Sequence, residues 1–373
     1  MAWSVRVILI AVLMVVTGSI NTLSTKWADR QKAIGNPDDN EHSFDHPFFQ
    51  AVGMFLGEMS CLVAYAIVLM RKRHQGDREY GSRWVNPLVF APPAICDMCG
   101  TSLMYIGLTL TYASSFQMLR GAVIIFTALL SVAFLGHNIK ARMWAGMITV
   151  ILGLGVVGVS DVVFGDKKSK DINGIIAGDL LIIMAQIIVS VQMVYEEKFV
   201  ARYRVSPLLA VGYEGLWGFI ILGILLVPFY FIHAPVFSKL PSHRLEDPLD
   251  AFRQISNNWQ IAAAVIGNIV SIAFFNFAGI SIMKSQSATT RMVLDSVRTL
   301  SIWAVTLALT WQTFEGLQVF GFVLLIVGMC LYYNIFVPTI MKHLPCNRQA
   351  AATEEENEPI LQQNAPACDT GHL

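Results

Sequence analysis

The stretch from Ala113 to Gly136 is apolar and long enough to cross a bilayer, and it carries an arginine, Arg120, a few residues in. That charge constrains the fold more than anything else in the chain. A charge at the bilayer centre costs about 2.5–3.5 kcal/mol even on a mild insertion scale, so it must face a partner or a wet cavity. The stretch also has an echo. At a shift of 175 residues, Ala113-Ser114-Ser115 falls on Ala288-Thr289-Thr290, Leu119 on Leu294 and Arg120 on Asp295. Without a gap, Gly146 then aligns with Gly321 and Gly153 with Gly328. At a shift of 172, Leu9 aligns with Leu181, Ile10 with Ile182 and Lys26 with Lys198. Two copies of one unit, each with charge inside the membrane, point to a carrier rather than a receptor or an enzyme.

Only 14% of the 373 residues are charged and 55% are hydrophobic, whereas a soluble chain carries roughly 25% charge. The class is an all-α polytopic membrane protein. A formal net charge of zero leaves no footprint for nucleic acid. The six cysteines are scattered and imply no disulfide framework. Cys96-x-x-Cys99 lies inside an apolar run and reads as helix packing rather than a redox pair. No metal-ligand cluster, phosphate loop or activated nucleophile is visible, so neither an enzyme, a cofactor nor a metal is expected.

Ten spans are expected: 4–25, 47–70, 87–110, 113–135 and 141–163, then 174–198, 206–232, 255–283, 288–310 and 316–336. They form a first five-helix repeat over 1–163 and a second over 174–337. A polar loop, 164–173, joins them, and 338–373 is a flexible tail. The first span could be a signal peptide on its own, but its second copy lies deep in the chain and cannot be cleaved. With the amino terminus in the cytosol, inner segments hold 14 Lys/Arg and outer loops 9, which favours cytosolic termini. Five spans per repeat is odd, so the second copy enters from the opposite side. The result is a 5+5 inverted repeat with its binding site near the midplane.

Arg291, Asp295 and Arg298 follow i, i+4, i+7 and share one helix face; Gln117, Arg120 and Thr127 mark a face of span four. These faces are candidates to line the substrate path, with the arginines attracting an anion such as phosphate. The alternative is that they pair only to hold helices together. Acids outnumber the arginines: Glu58, Asp97, Asp179, Glu214 and Asp295 against three. Glu58, Asp97 or Glu214 then serves proton coupling, or the substrate is a cation or zwitterion held by acids and aromatic faces. Asp179 sits near a helix start and reads as structural. Asn276 reads as a bond across helices before a ligand contact.

Gly18–Ser24, Ala51–Glu58, Ser114–Gly121, Gly178–Leu181, Glu196–Phe199, Phe274–Gly279 and Ser287–Arg291 resemble the drug/metabolite transporter superfamily, within solute carrier family 35, subfamily F. The resemblance implies a 5+5 bundle with spans five and ten peripheral and the others around a central cavity. It also implies a nucleotide-sugar carrier. Ser287–Arg291 occupies the place where GDP-mannose carriers have Gly-Ala-Leu-Asn-Lys, and only Ala288 and the final cation match; Thr290 stands with Arg291 among the substrate-binding candidates.

In the tail, Glu356, Ile360 and Leu361 fit an acidic dileucine signal, Glu-x-x-x-Ile-Leu. Sorting adaptors read such motifs on the cytosolic side. It favours lysosome or endosome, with Golgi or mitochondrion as alternatives. A different class of reading remains open: a membrane protein that carries nothing and modulates another membrane carrier. An ionisable midplane argues against it, since a scaffold needs none. The expected partners are a small-molecule substrate and the lipid bilayer.

Overall fold

The computed structural model describes residues 4–36, 40–75, 85–111, 116, 119–164, 172–203, 205–235, 237–238, 240–310 and 316–333. The helices among them are α1 (Val5–Arg30), α2 (Pro47–His74), α3 (Ala91–Leu110), α4 (Val123–Leu135), α5 (Ala141–Phe164) and α6 (Ile172–Tyr203). They continue with α7 (Pro207–Phe231), α8 (Pro248–Asn257), α9 (Trp259–Ser285), α10 (Ala288–Ala308) and α11 (Gly316–Tyr333). Six helical segments are long and apolar enough to cross a membrane: Val5–Arg30, Pro47–His74, Pro87–Leu108, Asn173–Val200, Pro207–Phe231 and Trp259–Ser285. Shorter apolar helices cover Val123–Leu135, Ala141–Val156 and Val319–Tyr332. The 21-residue α10 has the length, but Arg291, Asp295 and Arg298 lower its hydropathy.

The residues are sorted as a bilayer sorts them. Val5, Leu9, Val12 and Val16 of α1 are exposed, and so are Ile176, Leu180, Met184, Ile187 and Val191 of α6. Their spacing of three and four makes an apolar stripe down one face. The polar residues point inward instead, and Glu58, Gln192, Glu196, Glu214 and Arg291 are all buried. Helix α1 packs on α9 and α10, α2 on α7 and α9, and α3 on α6 and α7; α4 packs on α6 and α10, and α5 on α11.

The α5–α11 contact is backbone on backbone. A Cβ added at Gly146 would lie 2.8 Å from the Gly328 carbonyl oxygen, and one at Gly153 would lie 2.7 Å from that of Gly321. Small residues permit this approach where no hydrophobic effect drives helices together. Between α1 and α9, the buried Asn21 amide donates to the Asn268 side chain.

Besides shifts of a few residues at other helix ends, three segments differ from the sequence reading. The span expected from Ala113 is interrupted: the chain turns through Gly121 and Ala122, whose N–H bonds to the Leu119 carbonyl at 3.0 Å, and α4 starts only at Val123. The span expected from Ile255 starts at Trp259. Asn258, extended at φ −136°, ends α8, and its side chain accepts from the Gln260 N–H at 2.9 Å; asparagine favours such caps over helix interiors. The segment 26–46, left between the first two expected spans, holds regular structure: α1 runs on to Arg30 and Lys32–Ala33 pairs antiparallel with His42–Ser43.

That hairpin docks on α8. The Gln254 amide donates to the carbonyls of Ala33 (3.1 Å) and His42 (3.2 Å), and Asn257 donates to Ile34 (2.7 Å). At its centre His46 is fully buried, with Nδ1 2.7 Å from Glu246 and Nε2 3.2 Å from Asp250. His42 reaches the same Asp250 oxygen at 2.9 Å. Burial works to lower the His46 pKa, but the bonds to Asp250 and Glu246 outweigh it and raise it from 6.5 to about 9. Both ring nitrogens therefore donate, and an imidazolium joins the α1–α2 connection to the α7–α9 connection.

Candidate functional site

Glu58 stands eleven residues into α2, about 16 Å along its axis at 1.5 Å per residue, or half the thickness of a bilayer core. There its Oε1 accepts from the Asn276 amide of α9 at 2.5 Å. The Asn276 oxygen in turn accepts from Arg291 Nη2 of α10 at 3.0 Å. Arg291 Nη1 meets Glu196 Oε2 of α6 at 3.1 Å. The Gln192 amide then donates to Glu196 at 2.9 Å and to Glu214 of α7 at 2.8 Å. One chain of charge-assisted bonds thus crosses five helices. Glycine makes room for it, since a Cβ at Gly279 would lie 2.6 Å from Arg291 Nε.

A cleft leads to this network. It is lined by Phe48 and Phe55 of α2, Thr101, Ser102 and Tyr105 of α3, and Leu222 of α7; Glu58 and Asp97 form its polar floor. Where α6 ends and α10 begins, the bundle is tied. Glu197 accepts from the Ala288 N–H at 2.9 Å, and Lys284 donates to the Val205 carbonyl at 2.7 Å.

Asp295 and Arg298 belong to a second cluster. Arg298 lies 3.0 Å from Asp295, and Arg120 approaches the same carboxylate oxygen at 4.0 Å. The Arg298 guanidinium also sits 5.1 Å from the Phe275 ring centroid. Arg120 and Asp295 line a separate pocket with Ile124, Leu154, Met292 and Thr299.

The structure therefore brings Glu58, Asp97, Glu214, Asn276 and Arg291 together, and separately Arg120, Asp295 and Arg298. The face drawn through Arg291, Asp295 and Arg298 divides between the two. Asn276 bonds across helices, as expected. The Thr290 hydroxyl is 3.0 Å from Ser287 and 3.3 Å from Tyr332, at the helix cap. Thr127 bonds Ser190 of α6 at 3.2 Å inside a helix contact. Asp179 accepts from Thr111 at 2.5 Å. Gln117, Glu356, Ile360 and Leu361 lie outside the described residues. Sequence reasoning missed Gln192 and Glu196. Their signal was present: they stand at i, i+4 near the end of an apolar run, inside the span expected over 174–198.

Comparison with known proteins agrees with this architecture. The family model described as solute carrier family 35 (SLC35F) matches residues 8–334. Solute carrier family 35 member F6 of Homo sapiens is 55% identical over 362 residues, covering 97% of each chain, and that of Mus musculus is 52% identical over the same span. An uncharacterized protein of Schizosaccharomyces pombe is 34% identical over 333 residues, covering 88% of this chain and 97% of its own. A crystal structure only 14% identical superposes with a TM-score of 0.62 over 88% of this chain and 98% of the other, a likeness of fold.

Proposed function

Since this chain belongs to solute carrier family 35, we propose that it moves a small organic solute across an organelle membrane by alternating access. The observation that carries this reading is the buried chain of bonds from Glu58 to Glu214 at the foot of a cleft. A structural bundle has no use for several ionisable groups at mid-membrane.

A 5+5 inverted repeat, 1–163 against 174–337, is supported by the helix pairings. Exchange the halves and α1–α9 becomes α6–α3, α1–α10 becomes α6–α4, and α2–α9 becomes α7–α3; α2–α7 and α5–α11 map onto themselves. Gly146 touches the equivalent of Gly153, and Gly153 the equivalent of Gly146, as residues around a two-fold axis do. Arg120 pairs with its own equivalent, Asp295. With both termini in the cytosol, the cleft, lined from Glu58 at mid-membrane to Phe48 at the start of α2, lies in the half of the bundle away from it. The Glu356–Leu361 motif then meets sorting adaptors, and a lysosomal or endosomal membrane is the destination.

Nucleotide sugars are one substrate class, favoured by Arg120 and the neighbouring Arg298. Organic cations are the other, favoured by the acidic cleft. Thermal stabilisation of the purified protein by a panel of both is the test, because a ligand at 100 times its dissociation constant adds roughly 2.7 kcal/mol. Stabilisation by organic cations, abolished by Gly279→Ala, sustains a carrier with its site at the network, and stabilisation by nucleotide sugars, abolished by Arg120→Ala, sustains a carrier with its site at the second cluster. No response to any member, together with one-sided reagent access to Ser102→Cys in proteoliposomes, defeats it.

A further inference from the structure

The lining of the cleft has one sign. Glu58 and Asp97 form its floor, and among the described residues no lysine, arginine or histidine lines it. Glu58 is only 3% exposed; Asn276 donates to its Oε1, and no donor among the described residues reaches Oε2. Among the described residues, Asp97 has only a long 3.5 Å contact from Thr101. Around Glu58 stand Asp97 from α3, Glu196 from α6, Glu214 from α7, Asn276 from α9, Arg291 from α10 and, on α2 itself, Cys61. Four carboxyls thus share one guanidinium, which Glu196 and Asn276 already hold.

Above the acids the walls are aromatic. Phe48, Phe55 and Tyr105 line the cleft, and Phe48 meets Tyr105 edge-on at 5.8 Å. Rings over a carboxylate floor suit a cationic head with an apolar body. They offer nothing to a diphosphate.

We propose that this cleft binds a monovalent organic cation in exchange for a proton held between Glu58 and Asp97. The inference rests on the carrier reading and names the substrate class of the same site. A carboxyl buried as Glu58 is, without a counter-charge of its own, takes up a proton rather than stay ionised, and the half-buried Asp97 stands beside it to share that proton. When the cation enters, it replaces that proton: one positive charge arrives, one proton leaves to solvent, and the charge of the site is unchanged. The Asn276 amide links the exchange to the far end of the bundle. Its nitrogen reads Glu58 while its oxygen holds Arg291, so the occupant of the cleft is felt at the Arg291–Glu196 tie.

The test uses the purified full chain in weakly buffered detergent and benzyltrimethylammonium, which has no titratable proton of its own. Saturable binding is expected to release one proton per cation bound near pH 7, and the apparent Kd is expected to rise tenfold for each unit of acidification. Glu58→Gln, which keeps the acceptor for Asn276, and Asp97→Asn should each weaken binding at least tenfold and abolish proton release while unfolding like the unsubstituted protein. Binding without proton release overturns the exchange. So does release that persists in both variants. Failure to bind the cation overturns the substrate class. In that event, access of an impermeant thiol reagent to Ser102→Cys from both faces of proteoliposomes leaves the carrier reading standing, whereas access from one face removes it as well.

Discussion

Arg291 is held by a carboxylate, an amide oxygen and the empty side of a glycine, and each removal should read differently. Arg291→Ala strips Glu196 of its cation inside the bundle, an uncompensated charge that costs about 3–5 kcal/mol. It should lower Tm as well as transport. Gly279→Ala keeps every charge but pushes the guanidinium aside, because the added Cβ would stand 2.6 Å from Nε. Flux in proteoliposomes should fall at least tenfold with a much smaller loss of Tm. Equal thermal losses in the two variants would mean that Arg291 serves stability alone. Arg291 was legible in the sequence as a charge in an apolar run. Its partner Glu196 was not, because a flanking acid and a buried one look alike until the α6–α10 contact places them.

At the scale of elements, α5 and α11 meet through glycines whose neighbours are backbone atoms and cannot yield. Gly146→Val would place Cβ 2.7 Å from the Tyr332 nitrogen, and Gly328→Val 2.6 Å from that of Val150. Each should destabilise by about 1–3 kcal/mol, the usual cost of overpacking. Both force the same pair of helices apart, so the double variant should lose clearly less than the sum, as contacting sites do. Thermal unfolding of the three variants checks it. The glycines stood out in the sequence as a repeat. That Gly146 packs against Gly328, rather than its aligned partner Gly321, depended on the antiparallel crossing.

For the molecule as a whole, the His46 clasp ties connections from the two halves together outside the apolar spans. Its pKa is raised, so its contribution is complete below the unfolded value of 6.5 and disappears as pH climbs through about 9. Asp250 shifts the other way: burial raises its pKa, but the bonds from His46 and His42 win and lower it, so its contribution persists until pH falls below the ordinary range for aspartate. The clasp should stay closed in an acidic compartment. Thermal scans should show a loss of about 3 kcal/mol between pH 6.5 and 9.5, and His46→Gln should remove that slope. Arg120 and Asp295 offer a second test at this scale. Arg120→Asp brings two carboxylates together and should impair transport, and adding Asp295→Arg should recover most of it if the positions are equivalent across the halves.

The sequence alone determined that this chain is a helical membrane protein and a family 35 solute carrier. It did so because bilayer length and the cost of buried charge are written in one dimension. It also named most residues of the central network, since an ionisable side chain in an apolar run is conspicuous without coordinates. Only the tertiary structure decided their partners. Glu58, Asn276, Arg291, Glu196 and Glu214 come from five helices, and which helix faces which is set by packing far apart along the chain. The His46 clasp was invisible for the same reason: residues in two polar connections become a buried ionic core only when those connections meet.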